Sequence, residues 1–242
     1  MSDVPTHRLV KKPTVNGRYL SDYMAASERA RRTILRGCKY RPIAKLLQHD
    51  LAKNFITKFL SGGSLKSDKM NQEAARLRGM MSDTPFDRDT LDVNADFLDA
   101  YAKAFSPDQL PKADIIKPPK KLKINLNGVD MNPDIRLGFQ RVTKTNKVRT
   151  GFMTIRYAKG KALPEEVGLW QSSLLFGCRQ MADDEDEATA ERKLCVTLDA
   201  FTGHFIEAPG DAVSRFKNME AACATIASMW DNIEPPTGAV ID

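Results

Sequence analysis

Apolar residues at helical spacing dominate the first hundred positions of the chain. Tyr19, Leu20, Tyr23 and Met24 recur at that spacing and predict a first helix. The clearest stripe begins after Pro42, which suits a first helical position. Its apolar members recur at intervals of four: Ile43, Leu47, Leu51, Phe55 and Phe59. Two further helices are predicted around 70–77 and 91–105, the second with Asp87 or Asp89 available as its cap.

The spacing changes from helical to alternating after residue 121. Residues 122–126 alternate between apolar and polar side chains, and Asn127-Gly128 predicts a tight hairpin turn. A strand is expected across 129–139, with Pro133 at a bulge or an edge. Another is expected across 151–157. Its two faces are Met153, Ile155 and Tyr157 on one side, and Phe152, Thr154 and Arg156 on the other.

The remaining third of the chain predicts two helices and two strands. Pro164 opens a helix whose first turn carries Glu165 and Glu166, as the helix dipole favours. A buried strand is expected at 194–198 and a second one around Phe205. The last helix is expected from about 214 to 230. Between the helix that begins at Pro164 and the strand at 194–198, the acidic residues 183–187 predict a disordered surface loop.

These elements predict an α+β protein with a helical N-terminal region followed by an α/β domain. We expect a basic flexible arm at 1–17, the helical region at 18–105 and a proline-rich linker at 106–121. The α/β domain then extends over 122–232, and a short tail covers 233–242.

Charge is distributed unevenly along the chain. The net charge is +6, but residues 1–53 hold 12 basic and 4 acidic side chains, and residues 117–161 hold 12 basic and 2 acidic ones. Two basic blocks in an otherwise acidic chain predict a basic surface and an anionic partner.

Cysteine usage and hydropathy indicate an intracellular protein. Cys38, Cys178, Cys195 and Cys223 lack the close spacing of metal ligands, so we expect buried thiols rather than disulfides or zinc ligands. No apolar stretch reaches the 18 residues of a membrane span, and no signal peptide is visible. We therefore expect a cytoplasmic protein without a membrane partner.

Motifs for catalysis are sparse. His49-Asp50 matches the dipeptide of HD phosphohydrolases, but the further histidine and aspartate ligands are missing, so a histidine on a helix surface is favoured. The chain contains no phosphate-binding loop, nucleophile elbow or paired-cysteine motif.

The second half carries a weak nuclease signature. Pro133-Asp134 lies on a predicted strand, Thr154-Ile155-Arg156 follows on another, and a helix with Gln171 comes next. Over about residues 120–210 this order resembles the restriction-endonuclease-like, or PD-(D/E)xK, superfamily, especially its RecB-like branch. The resemblance implies a mixed central sheet. In that family an aspartate, a second acid and a lysine converge on a divalent metal such as magnesium, and the lysine helps to activate water.

Position by position, the resemblance implies a degenerate site. Asp134 matches the aspartate and is the one catalytic residue we expect if the chain is active. Thr154 replaces the second acid and Arg156 replaces the lysine, so we expect no bound metal. Gln171 resembles the glutamine of the RecB-like helix.

The basic block around the predicted sheet is the expected nucleic-acid-binding surface. It comprises Lys120, Lys121, Lys123, Arg141, Lys144, Lys147, Arg149, Arg156, Lys159 and Lys161. Stacking aromatics are few, so contact with the DNA or RNA backbone without sequence readout is expected. A solubilising surface or an acidic protein partner would explain the same charge.

Three functions follow from these observations. The first is a non-catalytic, nucleic-acid-associated protein on a degenerate nuclease-like domain. The second is an active magnesium-dependent nuclease whose missing acid comes from Glu165, Glu166 or an N-terminal helix. The third is a protein–protein interaction module, with the stripe from Ile43 to Phe59 as an interface between copies or with a partner.

Overall fold

Helices and strands follow one another in a mixed order along the chain. The computed structural model describes residues 4–44, 48–62, 65–118, 122–182 and 188–242. The helices in these ranges are α1 (Gly17–Ala25), α2 (Glu28–Lys39), α3 (Asp50–Ser61), α4 (Asp68–Gly79), α5 (Pro85–Ala104), α6 (Glu165–Met181) and α7 (Ala212–Met229). The strands are β1 (His7–Leu9), β2 (Tyr40–Pro42), β3 (Asp114–Ile116), β4 (Ile124–Leu126), β5 (Val129–Met131), β6 (Leu137–Val142), β7 (Val148–Arg156), β8 (Thr189–Ala190), β9 (Val196–Asp199) and β10 (His204–Glu207).

One mixed sheet organises the molecule. Its strand order is β10-β9-β7-β6-β3, with the short β8 also paired to β7. The pairs β3–β6, β6–β7 and β9–β10 are antiparallel, whereas β7 and β9 are parallel and are joined through α6. Parallel strands need such a crossover because both begin at the same end of the sheet, so the connection must return the chain along the full length of the first strand. The prediction of an α+β fold with a mixed sheet is therefore confirmed.

The two faces of β7 differ as the alternation predicts. Met153, Ile155 and Tyr157 belong to a core with Phe97 and Leu98 of α5. On the other face, Phe152 packs against Leu175 and Phe176 of α6. Side chains alternate between the faces of a strand, so each face of the sheet carries its own helical layer.

The N-terminal helices contribute to both layers. Helices α3, α4 and α5 pack in one hydrophobic cluster with β6, β7, β9 and β10. Helices α1 and α2 instead pack with α6 and α7, where Leu20 and Leu35 are buried beside Cys223 and Trp230. The helical region and the sheet therefore share hydrophobic cores.

Local residue choices explain several element boundaries. The Oγ1 atom of Thr84 accepts a hydrogen bond from the Asp87 amide, and Pro85 takes the first position of α5. The cap is thus Thr84 rather than Asp87 or Asp89. Asn127 and Gly128 adopt φ of 44° and 91° between β4 and β5, which confirms the predicted hairpin turn.

The helix predicted from Pro42 begins later, at Asp50. Tyr40–Pro42 forms β2, paired with β1, and residues 48 and 49 are not helical. The tertiary structure holds this segment extended, because Lys39 Nζ donates to three carbonyls of 230–233 and the Tyr40 hydroxyl donates to Ile233. Of the predicted interface stripe, Phe59 is buried in the core and Phe55 packs against it, whereas Ile43 and Leu51 are exposed and Leu47 lies outside the described residues.

Segments outside the predicted domains also take part in the fold. The interval 106–121 contains β3, which pairs with β6. Within 1–17, Val15 is buried and β1 pairs with β2. The tail bonds back to the N-terminal segment, since the Thr6 amide donates to the Val240 carbonyl at 2.9 Å. The acidic residues 183–187 lie outside the described residues.

The four cysteines lie in the interior, as the sequence predicts. All four thiols are buried. Burial raises the pKa of Cys38 to about 11 and that of Cys223 to about 12, which keeps both thiols protonated and unreactive at neutral pH. Among the described helices, none is both long enough and apolar enough to cross a membrane.

Packing at Gly151 gives a stability test. A Cβ atom at this β7 position would lie 2.3 Å from the Leu194 backbone, so Gly151→Ala should lower the free energy of unfolding by about 1–3 kcal/mol. A Cβ at Gly37 on α2 would meet no atom within 4 Å, so Gly37→Ala should raise it by about 0.5–1 kcal/mol. Urea unfolding followed by circular dichroism measures both. Equal effects of the two substitutions would contradict this packing.

Candidate functional site

The carboxyl ends of the parallel strands meet at one edge of the sheet. Arg156, the last residue of β7, is in register with Asp199, the last residue of β9. Helix α1 approaches the same edge with Arg18 and Asp22, and a cavity of about 220 Å³ lies between these elements and the start of α6. In open α/β sheets this edge is the usual position of ligand sites.

Arg156 is buried at this edge and fully engaged by other protein groups. Its Nη2 atom lies 2.6 Å from Asp22 Oδ1, and its Nη1 donates to Gln171 Oε1 at 3.0 Å and to the Arg18 carbonyl at 3.4 Å. Burial lowers the pKa of Arg156, and the Asp22 carboxylate opposes that effect. The guanidinium therefore joins α1, β7 and α6.

Asp134 lies in a second ion cluster, with cations rather than acids. Its Oδ1 is 2.9 Å from Arg136 Nε, and its Oδ2 is 3.8 Å from Lys53 Nζ. Arg136 also contacts Asp50 at 3.1 Å. Asp134 itself adopts a φ of 55°, in the left-handed region that aspartate tolerates better than most residues. Two neighbouring cations disfavour a divalent metal on this carboxylate.

The other two positions of the nuclease-like pattern, Thr154 and Gln171, carry neutral side chains. Thr154 is buried on the same face of β7 as Arg156. Gln171 is also buried, and its Nε2 has no hydrogen-bond partner among the described residues. In the part of the chain that the structure describes, no three acids, histidines or cysteines form a group that could hold a metal ion.

The predicted basic block divides into separate groups. Arg141, Lys144, Lys147 and Arg149 lie at the β6–β7 hairpin, whereas Arg156, Lys159 and Lys161 lie at the far end of β7. The seven residue steps from Arg149 to Arg156 correspond to about 23 Å of extended strand. Lys123 lies beside β4, and Lys120 and Lys121 lie outside the described residues.

Several of these cations already have acidic partners. Arg141 forms a two-pronged ion pair with Glu191, and Lys159 Nζ lies 2.7 Å from Asp96. Arg156 is held by Asp22. By contrast, Lys144, Lys147 and Arg149 form no ion pair within the described residues, and both lysines are exposed.

We define the hairpin surface as Arg141, Lys144, Lys147, Arg149 and Lys193. Sequence reasoning missed Lys193, which is exposed on the 3-10 turn Arg192–Leu194. That turn packs against β7 at Gly151, and the Glu191 amide before it donates to the Thr150 carbonyl at 2.8 Å. A contact across such a sequence separation leaves no local signal.

Sequence reasoning also missed the cations and acids that complete the two ion clusters. Arg18 and Asp22 come from α1, and Lys53 comes from α3, more than eighty residues before the strands they reach. Their spacing resembles any solvated helix face, so no pattern could identify them. Only the packing of α1 and α3 on opposite sides of the sheet brings them to its edge.

His49 is not a surface histidine, contrary to the sequence-based interpretation. Its half-buried ring makes edge contacts with Phe97 and Tyr157, with centroids 5.8 and 5.3 Å away. Its Nδ1 is buried without a hydrogen-bond partner among the described residues. Burial lowers the pKa of His49, and the charges of Lys53 and Arg18 lower it further.

No protein-family model, curated protein or solved structure matches the chain.

The Arg156–Asp22 pair predicts a strong coupling between α1 and the sheet. Asp22→Asn leaves the buried guanidinium without its carboxylate and should cost about 2 kcal/mol of unfolding free energy, less than in a fully enclosed pair because Asp22 is partly exposed. The double variant Asp22→Asn/Arg156→Met should lose less unfolding free energy than the sum of the losses in the two single variants. Urea denaturation of all four proteins measures the coupling. Additive losses would contradict it.

His49 predicts a loss of stability in mild acid. Because its pKa is lowered by folding, the unfolded chain takes up a proton at higher pH than the folded protein. The stability from neutral His49 is therefore complete above about pH 6.5, the ordinary histidine pKa, and falls as the pH decreases through the folded pKa. His49→Phe should flatten the fall in urea midpoint between about pH 7.5 and 5.5. Identical profiles would refute this role.

Proposed function

We propose that this protein is a non-catalytic, nucleic-acid-associated protein that binds the phosphate backbone through the hairpin surface. The observation that carries the proposal is a contrast between the two ends of β7. At the hairpin, Lys144, Lys147 and Arg149 form no ion pair within the described residues. At the other end, Arg156 is compensated by Asp22.

The geometry of the hairpin supports contact with a large polyanion. Strand β3 pairs only with residues 138–140 of β6, so the hairpin tip extends beyond that neighbouring strand. The tip carries exposed Lys144 and Lys147, and Val142, the last residue of β6, is 61% exposed. A projecting two-stranded ribbon with basic side chains can follow a nucleic-acid groove and its phosphates.

The chemistry at the nuclease-like positions supports a role without cleavage. Asp134 lies between Arg136 and Lys53, and buried Thr154 contributes no carboxylate. A buried arginine is a poor substitute for a lysine that helps to activate water, because it does not exchange its proton near neutral pH. Glu166 is already paired with Arg215 at 2.7 Å, which gives no support to it as the missing acid.

Phosphate contacts also predict the kind of binding. Lysine and arginine contacts to the backbone carry no base information, so affinity should be similar for different sequences. Each phosphate neutralised on duplex DNA contributes about 0.9 to the slope of log affinity against log salt concentration. A surface of a few unpaired cations should therefore bind weakly at physiological salt and more tightly at low salt.

The double substitution Lys144→Ala/Lys147→Ala tests the hairpin surface. Fluorescence anisotropy with a labelled generic duplex should show weaker binding than for the unaltered protein, and a salt slope smaller by about 2 because two phosphate contacts are lost. Lys66→Ala/Lys69→Ala is the matched control. It removes the same charge from exposed positions at the start of α4 and should leave affinity nearly unchanged.

Three results would overturn parts of this proposal. Absence of binding at low salt would exclude the nucleic-acid function. Equal weakening by the two double variants would indicate net charge rather than the hairpin surface. Cleavage of the duplex with added magnesium that is lost in Asp134→Ala would replace the non-catalytic role with nuclease activity.

A further inference from the structure

A second candidate site lies at the opposite end of β7 from the hairpin surface. The cavity of about 220 Å³ is bounded by Arg18 and Asp22 of α1, by Arg156 and Tyr157 at the end of β7, and by the segment that leads into α6. This volume lies below the roughly 300–1,000 Å³ of common small-molecule pockets, so its ligand would be small.

The acids around the cavity are already bonded. Asp199 Oδ2 accepts hydrogen bonds from the Leu163 amide at 3.0 Å and from the Thr202 hydroxyl at 2.7 Å, and its Oδ1 accepts one from the Phe201 amide at 3.1 Å. Asp22 is paired with Arg156. Neither carboxylate needs a further cation.

Two cations at the cavity are not paired with an acid among the described residues. Arg18 and Lys161 line it, both are exposed, and neither forms an ion pair within the described residues. Arg18 belongs to α1 and Lys161 to the segment after β7. With the Arg156–Asp22 pair set aside, these two cations outnumber the single Asp199 carboxylate, so the lining has a net charge of +1.

The cavity lining also includes apolar side chains. Leu163 and Val167 are among them, whereas the ring of Tyr157 packs in the core on the other face of β7. Apolar side chains together with two unpaired cations suit a ligand with an apolar body and one doubly charged end.

We propose that this cavity binds a small phosphate monoester with an apolar body, with Arg18 and Lys161 on the phosphate and Leu163 and Val167 beside the apolar part. A dianionic phosphate matches two cations better than a carboxylate does, and arginine offers it paired donors. The site is separate from the hairpin surface, because Arg149 and Arg156 are about 23 Å apart along the strand.

Phenyl phosphate is the probe, measured by isothermal titration calorimetry with the full chain. Lys161→Ala and Arg18→Ala should each raise the dissociation constant for phenyl phosphate about tenfold, the effect of one lost charged hydrogen bond. Lys217→Ala, which removes an exposed lysine from α7, should leave it unchanged. Phenol, which has the ring without the phosphate, should bind at least about tenfold more weakly.

Two results would overturn the proposed site. One is the absence of binding at millimolar phenyl phosphate. The other is binding that Lys161→Ala and Arg18→Ala weaken no more than Lys217→Ala does. Circular dichroism of each variant excludes unfolding as the cause. A negative phenyl phosphate titration would not affect the proposal of duplex binding at the hairpin surface. A negative duplex-binding result would likewise not affect the proposed cavity site, because the two sets of substitutions are distinct.

Discussion

A single buried guanidinium connects three elements of this protein. Arg156 ends β7, and its bonds to Asp22 and Gln171 join the strand to α1 and α6. A charge in this position is tolerated only because a carboxylate and an amide oxygen replace its water. The approach of α1 to the sheet edge, and with it the position of the cavity, depends on that arrangement.

The two ends of β7 have opposite electrostatic character. At the carboxyl end, several charges lie in compensated groups, the Arg156–Asp22 pair and the cluster of Asp134 with Arg136 and Lys53, while Arg18 and Lys161 form no ion pair among the described residues. At the hairpin end, lysines extend into solvent without acidic partners among the described residues. Opposite charges in the first case stabilise the fold, whereas exposed charge in the second remains available to a partner.

This contrast changes the interpretation of the basic block seen in the sequence. Ten basic residues within some forty positions suggest one surface, but a nine-residue strand separates seven of them into groups at its two ends. Arg156 also alternates into a buried face, where it cannot contact nucleic acid. The resemblance to the PD-(D/E)xK superfamily remains a prediction, since it depends on Asp134, Thr154 and Gln171 in an order of elements that other folds share.

Periodicity alone determined most local structure. The alternation across 151–157 assigned each side chain to its face of β7, and Asn127-Gly128 located a hairpin, because both signals arise within a few residues. The start of α3 was wrong for the opposite reason. Apolar spacing after Pro42 favours a helix, but Tyr40–Pro42 pairs with β1, and the Tyr40 hydroxyl bonds to a carbonyl about 190 residues away.

The sequence by itself therefore determined the type of most helices and of the central strand β7, the mixed α+β class and the uneven charge, but not strands β1, β2 and β3. Only the tertiary structure decided which charges are paired, because ion pairs such as Arg156–Asp22 and Asp134–Lys53 join residues 134 and 81 positions apart. Pairing depends on distances of a few ångströms, and no one-dimensional pattern encodes such distances between elements that are remote in the chain.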